Sequence, residues 1–136
     1  MTRKIEFLGG TKDTLRSFPK EVKEEMGFAL HAEQKGITAL DVVPLTGYGS
    51  SKVRQIVSNF KRDTYRLIYS IQHAYTIYVL HVFMKKSKQG SKVPREDADL
   101  VKLRLKQASE HWRTNYGAEE NTDEAGGQNR ERGQKS

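Results

Sequence analysis

Between residues 52 and 84 the chain carries three strand-like runs that follow one another almost without pause. They are "KVRQIVSN" (52–59), "TYRLIYSI" (64–71) and "YTIYVLHVFM" (75–84), with only "FKRD" and "QHA" between them. A parallel return to the same sheet needs a crossover of roughly a dozen residues or more, so these runs can pair only as an antiparallel meander. The third run is apolar at both parities, which places it inside the sheet and not at its edge.

Helical and turn signals fill the rest. "KIEFL" (Lys4 to Leu8) alternates as a short strand does. Thr11 is placed to cap a short helix running through Phe18, and Pro19 suits the first turn of a second helix. In "PKEVKEEMGFALHAEQKG", Val22, Met26, Ala29 and Leu30 fall on one helical face, and Lys35 and Gly36 close the helix. Residues 37–51 read as a loop rich in turn formers. After Pro94 a last helix is predicted from about Arg95 to Thr114, with Ala98, Val101, Leu105, Ala108 and Trp112 as its buried stripe. This order predicts an α+β fold: two N-terminal helices and a C-terminal helix packed on a small antiparallel sheet, in a single domain. The domain is expected over 1–115 and a disordered polar tail over 116–136, because "GAEENTDEAGGQNRERGQKS" holds no large apolar residue.

Composition narrows the function. No run approaches the roughly 20 apolar residues that cross a bilayer. "MTRKIEFLGG" lacks the apolar stretch of a secretory signal, so a cytoplasmic protein with no membrane partner is expected. There is no cysteine, and no pair of the four histidines has ligand spacing, so neither a metal nor another cofactor is expected. The net charge of +7 points to a polyanionic partner, nucleic acid above all. From Gly117 on there are five acids and three bases, so residues 1–116 carry +9.

Alternation along strands places the basic residues. Arg54 shares a face with Ile56 and Ser58. Arg66 shares one with Thr64, Ile68 and Ser70, opposite Tyr65, Leu67 and Tyr69, so its loss should cost the fold little. Simple alternation puts Lys85 with Val79, His81 and Phe83, and Lys86 with Leu80, Val82 and Met84. Arg54, Arg66 and the Lys85–Lys86 pair are expected to converge on one sheet face, with Lys52, Lys88 and Lys92 nearby. Each also has a blander reading. A strand arginine is as often a solvated charge or an ion-pair partner, and adjacent lysines more often blunt a strand end. Lys61 and Arg62 read as turn charges. His81, inside an apolar strand, is more often a hydrogen-bonded core residue than a catalyst; His73 reads as a turn residue, and His31 and His111 as helix-surface residues. No paired carboxylates, nucleophile elbow or phosphate-binding glycine loop appears, and "GYGSSK" precedes a strand without Walker spacing.

Taken together, "YRLIYSI" and "YTIYVLHVFMKKSKQGSKVPREDADLVKLRL" resemble the RelE/ParE superfamily of toxin–antitoxin toxins, in particular its HigB-like, phage-derived branch. The shared pattern is Tyr65–Arg66 followed by two apolar residues and Tyr69, then His81 to Lys86 at a strand end. A loop with Lys and Pro follows, and then a helix with Val101 and Arg104. The resemblance implies a RelE-like fold and a metal-free mRNA endonuclease, acting at the ribosome and inhibiting translation. It also implies a cognate antitoxin, of helix-turn-helix type, as partner. By position it implies catalytic roles for Arg66, Lys85 and Lys86, and RNA binding by Arg54, Lys52, Lys88 and Lys92. Some members place a catalytic Tyr or His after the last strand; here "SKQGSKVP" has neither. Relatives that inhibit DNA gyrase supply an alternative, and a non-catalytic nucleic-acid-binding module is another.

Overall fold

The computed structural model describes residues 2–49, 52–86 and 93–123, and the side chains of all of these but Lys86 and 117–123. In chain order the elements are β1 (Lys4–Phe7), α1 (Thr11–Arg16), α2 (Lys20–Gln34) and β2 (Val42–Pro44), then β3 (Val53–Phe60), β4 (Asp63–Ser70), β5 (Thr76–Lys86) and α3 (Arg95–Asp123). Three helices pack on one five-stranded sheet of order β1-β5-β4-β3-β2. The expected meander of β3, β4 and β5 is present, and β5 is an interior strand.

Four local expectations need correction. The sheet is mixed, not wholly antiparallel, because β1 pairs parallel to β5 with Lys4 opposite Thr76. Everything from α1 to β4 separates those two strands, so no short connection dictates their direction. The 37–51 loop contains β2, which pairs with β3 over three residues only. Thr11 is not the cap of α1: Gly10 holds that position, and Thr11 is the first helical residue, buried. Helix α3 continues to Asp123, beyond the expected end near Thr114. Of the polar tail, residues 124–136 lie outside the described residues.

The main core lies between the sheet and helices α1 and α2. Val22, Met26, Ala29 and Leu30 of α2 meet Ile56, Tyr65, Leu67, Tyr69, Ile77, Val79 and Val82 of the sheet. Burying such side chains is worth about 1.5–3 kcal/mol each before entropy is counted. Simple alternation would put Val79 and Val82 on opposite faces. A β-bulge makes them share one: pairing steps from Ile68↔His81 to Tyr69↔Val79, so β5 spends an extra residue there. The other face is apolar too. Val53 opposes Ser70, Ser70 opposes Tyr78, and Val53, Ile68 and Tyr78 are fully buried there.

The chain divides after residue 105. Within the first body the start of α3 is fastened to β5: Arg104 Nη1 donates to the Leu80 carbonyl oxygen at 2.9 Å, and Val101 is fully buried. Residues 106–123 continue the helix. At the far edge, β2 exposes few amides. The Val42 N–H donates to the Ala39 carbonyl, the Leu45 N–H to that of Val53, and Pro44 has none. Among the described residues no helix is long and apolar enough to cross a membrane.

Candidate active site

Two of the expected catalytic cations meet. Arg66 lies opposite Phe83, and Lys85 lies opposite Thr64. Directly opposed residues share a face, so Arg66 and Lys85 are diagonal neighbours, about 7–8 Å apart at the backbone. Both are nearly covered, at 5% and 6% exposure. Burial, and then the Arg66 charge, hold the Lys85 amine below its ordinary pKa, while Asp97 acts in the opposite sense. Such a lysine has a larger neutral fraction near pH 7 than a solvated one. The burial of Arg66 also overturns the expectation that its removal costs the fold little.

A histidine and an aspartate complete the cluster. His81, opposite Ile68, is on the same face, in regular alternation with Phe83 and Lys85. Its Nε2 lies 2.6 Å from Oδ1 of Asp97 in the first turn of α3. Its ring stacks on Phe83, with centroids 4.8 Å apart. The imidazole is therefore fixed by a carboxylate on one side and an aromatic plane on the other. The sequence marked His81 as a core residue and said nothing of Asp97. The signal for His81 was its two-residue spacing from Phe83 and four from Lys85. Nothing local announces Asp97, because its partner is 16 residues away.

The remaining basic residues are dispersed, so the expected convergence on one face is not met. Arg54 opposes Tyr69 and hence occupies the α2 side of the sheet. There its Nη1 donates to Glu33 Oε1 and Oε2 at 3.0 and 3.1 Å and to Thr38 Oγ1 at 2.9 Å. Tyr69 donates to the same buried Glu33 at 2.8 Å, and burial followed by that bond drives its phenol pKa up. Arg54 thus neutralises a buried carboxylate, which is costly to leave alone. Lys52 precedes β3, and its carbonyl accepts from the Ile71 N–H. It stands at the opposite end of β4 from Lys85, roughly 23 Å away along the strand by the ordinary rise per residue. Lys86 opposes Asp63, a register position on the other face from Arg66. Lys88 and Lys92 lie outside the described residues.

Beside the cluster is a cleft of about 350 Å³ between the 44–48 loop and α3. Pro44, Leu45, Tyr48, Val93, Ala98 and Lys102 line most of it. Burial, then the charges of Asp97 and Asp99, raise the Tyr48 phenol pKa. Among the described residues no group of three or more His, Asp or Glu side chains is placed to hold a metal ion.

This arrangement can do proton-transfer and anion-stabilising chemistry: a guanidinium, a neutralisable amine and a carboxylate-oriented imidazole share one sheet face. Compared with known proteins, residues 13–106 match the family model described as "Phage derived protein Gp49-like (DUF891)". No curated protein matches the chain.

Proposed function

Because the chain belongs to the phage-derived Gp49-like family, a RelE/ParE-like toxin family, we propose that it is the toxin of a type II toxin–antitoxin pair and cuts mRNA without a metal ion. The observation that carries the reading is the pairing of Arg66 and Lys85 on one face, beside the His81–Asp97 dyad.

Cleavage of this kind uses the ribose 2′-OH. A base takes its proton, the 2′-oxygen attacks phosphorus, and an acid protonates the departing 5′-oxygen. The phosphorane between these steps carries extra negative charge, and fixed cations stabilise it. Arg66 suits that role, since a guanidinium grips two phosphate oxygens and stays charged. Lys85, with its lowered pKa, and His81, oriented by Asp97, divide the base and acid roles. Lys52, Lys86, Lys88 and Lys92 are the proposed contacts to the RNA backbone, and Arg54 is kept for the fold. The ribosome would supply substrate orientation, a large part of such rate enhancements. The toxin acts in the cytoplasm and is silenced by a cognate antitoxin.

The test is induced expression followed by primer extension on a reporter mRNA, with a melting curve for each variant. Arg66→Ala should cut at least about 100-fold more slowly, the usual cost of removing one stabilising donor. Arg66→Lys should recover only part of the rate. Lys85→Gln and His81→Gln should each slow cutting, and Lys85→Gln should also change the pH profile of the rate. A folded Arg66→Lys/Lys85→Gln double variant that cuts like wild type would sink the site. Growth arrest by the wild type with intact mRNA and altered plasmid supercoiling would move the activity to gyrase.

A further inference from the structure

We infer that the cleft between the 44–48 loop and α3 is a nucleobase subsite, which holds a base of the RNA next to the scissile phosphate by stacking it on Tyr48. Its place in the reaction rests on the endonuclease reading; its ability to bind a nucleotide does not.

The cleft has the volume and lining for one nucleotide. At about 350 Å³ it is at the small end of ligand pockets, which run from roughly 300 to 1,000 Å³. Pro44, Leu45, Val93 and Ala98 give it apolar walls, and half-buried Tyr48 gives it an aromatic ring. A base is a flat apolar plate with a polar rim, and such a plate stacks on rings. Exposed Lys102 stands on the same wall as a cation for the attached phosphate.

Position ties the cleft to the cations. Ala98, in its wall, directly follows Asp97, whose carboxylate holds His81. On the floor of the sheet, Gln55 opposes Ile68 and Ile68 opposes His81, so one cross-strand row leads from Gln55 to the dyad. Gln55 is 2% exposed, and its Oε1 has no hydrogen-bond partner among the described residues. A buried acceptor left in that state is costly unless a donor reaches it. Asp97 and Asp99 are further acceptors beside Tyr48. None of these three acceptors lines the cleft itself, whose own polar side chains are Thr46, Tyr48 and Lys102, so stacking and size, and not an acceptor set, decide which base it holds.

The experiment titrates the purified full-length chain with 3′-AMP, 3′-UMP and ribose 5-phosphate, and follows backbone amide shifts by NMR. 3′-AMP should move Gly47, Tyr48, Ala98 and Lys102, and its larger ring should stack more tightly than that of 3′-UMP. Tyr48→Ala should weaken 3′-AMP by about ten- to a hundredfold, the worth of one base–aromatic stack, while Tyr48→Phe stays near wild type. In cells, Tyr48→Ala should blur the base preference beside the cut. Silence of these amides with 3′-AMP would overturn the inference, and so would an equal response to ribose 5-phosphate. So would cut sites in Tyr48→Ala identical to wild type, or an antitoxin peptide taking the cleft in place of nucleotides. Nucleotide binding at the cleft in a wild type that leaves RNA intact would retire the endonuclease reading and keep the subsite. RNA cutting with a silent cleft would do the reverse.

Discussion

Gly9 has φ +57°, and a Cβ built there would lie 2.6 Å from Nη2 of Arg104. That guanidinium also holds the Leu80 carbonyl, so it is not at liberty to step aside. The left-handed backbone costs an L-residue about 1–2 kcal/mol on its own. Gly9→Ala should therefore lower the melting temperature by several degrees, and the loss should be smaller in an Arg104→Ala background, where the collision is absent. A second residue-scale prediction concerns Glu25. A hydrogen bond shared with Asp41, then burial and the Asp41 charge, raise its carboxyl pKa from the ordinary 4.5, against a lowering bond from Ser58 Oγ at 2.5 Å. A raised folded value means that the native state holds the proton more tightly than the unfolded chain. Its contribution is whole below pH 4.5 and is lost as pH rises through the raised value. Glu25→Gln should flatten that decline, since a neutral amide donates to Asp41 and accepts from Ser58 at every pH; denaturation at pH 4 and pH 7 measures the difference. Neither pair was legible in the sequence, because each joins residues more than 15 positions apart and only the fold sets them side by side.

At the scale of elements, the hairpin between β3 and β4 closes with Lys61 and Arg62, since Phe60 already opposes Asp63. Lys61 has φ +57, the position at which a tight hairpin turn favours glycine. Lys61→Gly should raise stability by about 0.5–1 kcal/mol, a few degrees in a melt, and slower unfolding would accompany it. The strands themselves were readable because β-branched and aromatic runs met short turns, and the helix faces because apolar residues recur at helical spacing. Strand β2 was not readable: three residues ending in proline carry no periodicity. The bulge in β5 was not readable either. Parity counted through it gives the wrong neighbours for Val79. Arg66 and Lys85 could be placed on strands from sequence, but their shared face depends on cross-strand register. So does the separation of Arg54, which its neighbour Ile56 already tied to the core side.

For the whole molecule, the proposed endonuclease activity makes the +9 carried by residues 1–116 the charge that should govern how RNA is held. Releasing counterions from single-stranded RNA gives a log–log salt slope of about −0.7 per phosphate contact. Each of Lys88→Ala and Lys92→Ala should therefore make the slope shallower by about 0.7 and weaken binding alike for all sequences. Filter binding over a range of salt would show it; an unchanged slope would remove that lysine from the interface. Tyr48→Ala should instead change preference among sequences at nearly constant slope, which separates grip from reading.

The outer margin of β2 has a consequence for assembly. Of the residues whose amides would face outward there, Val42 has committed its N–H to Ala39, and Pro44 has no N–H to offer. An incoming chain would find carbonyls to donate to, but no donor to match its own carbonyls. Half of every backbone pairing would be missing, so this margin cannot template another strand, whether from a second copy, a misfolded neighbour or an extended peptide. Any partner that docks on this side has to be recognised by side chains, and its specificity is then written in shape and charge and not in the generic grammar of the peptide bond.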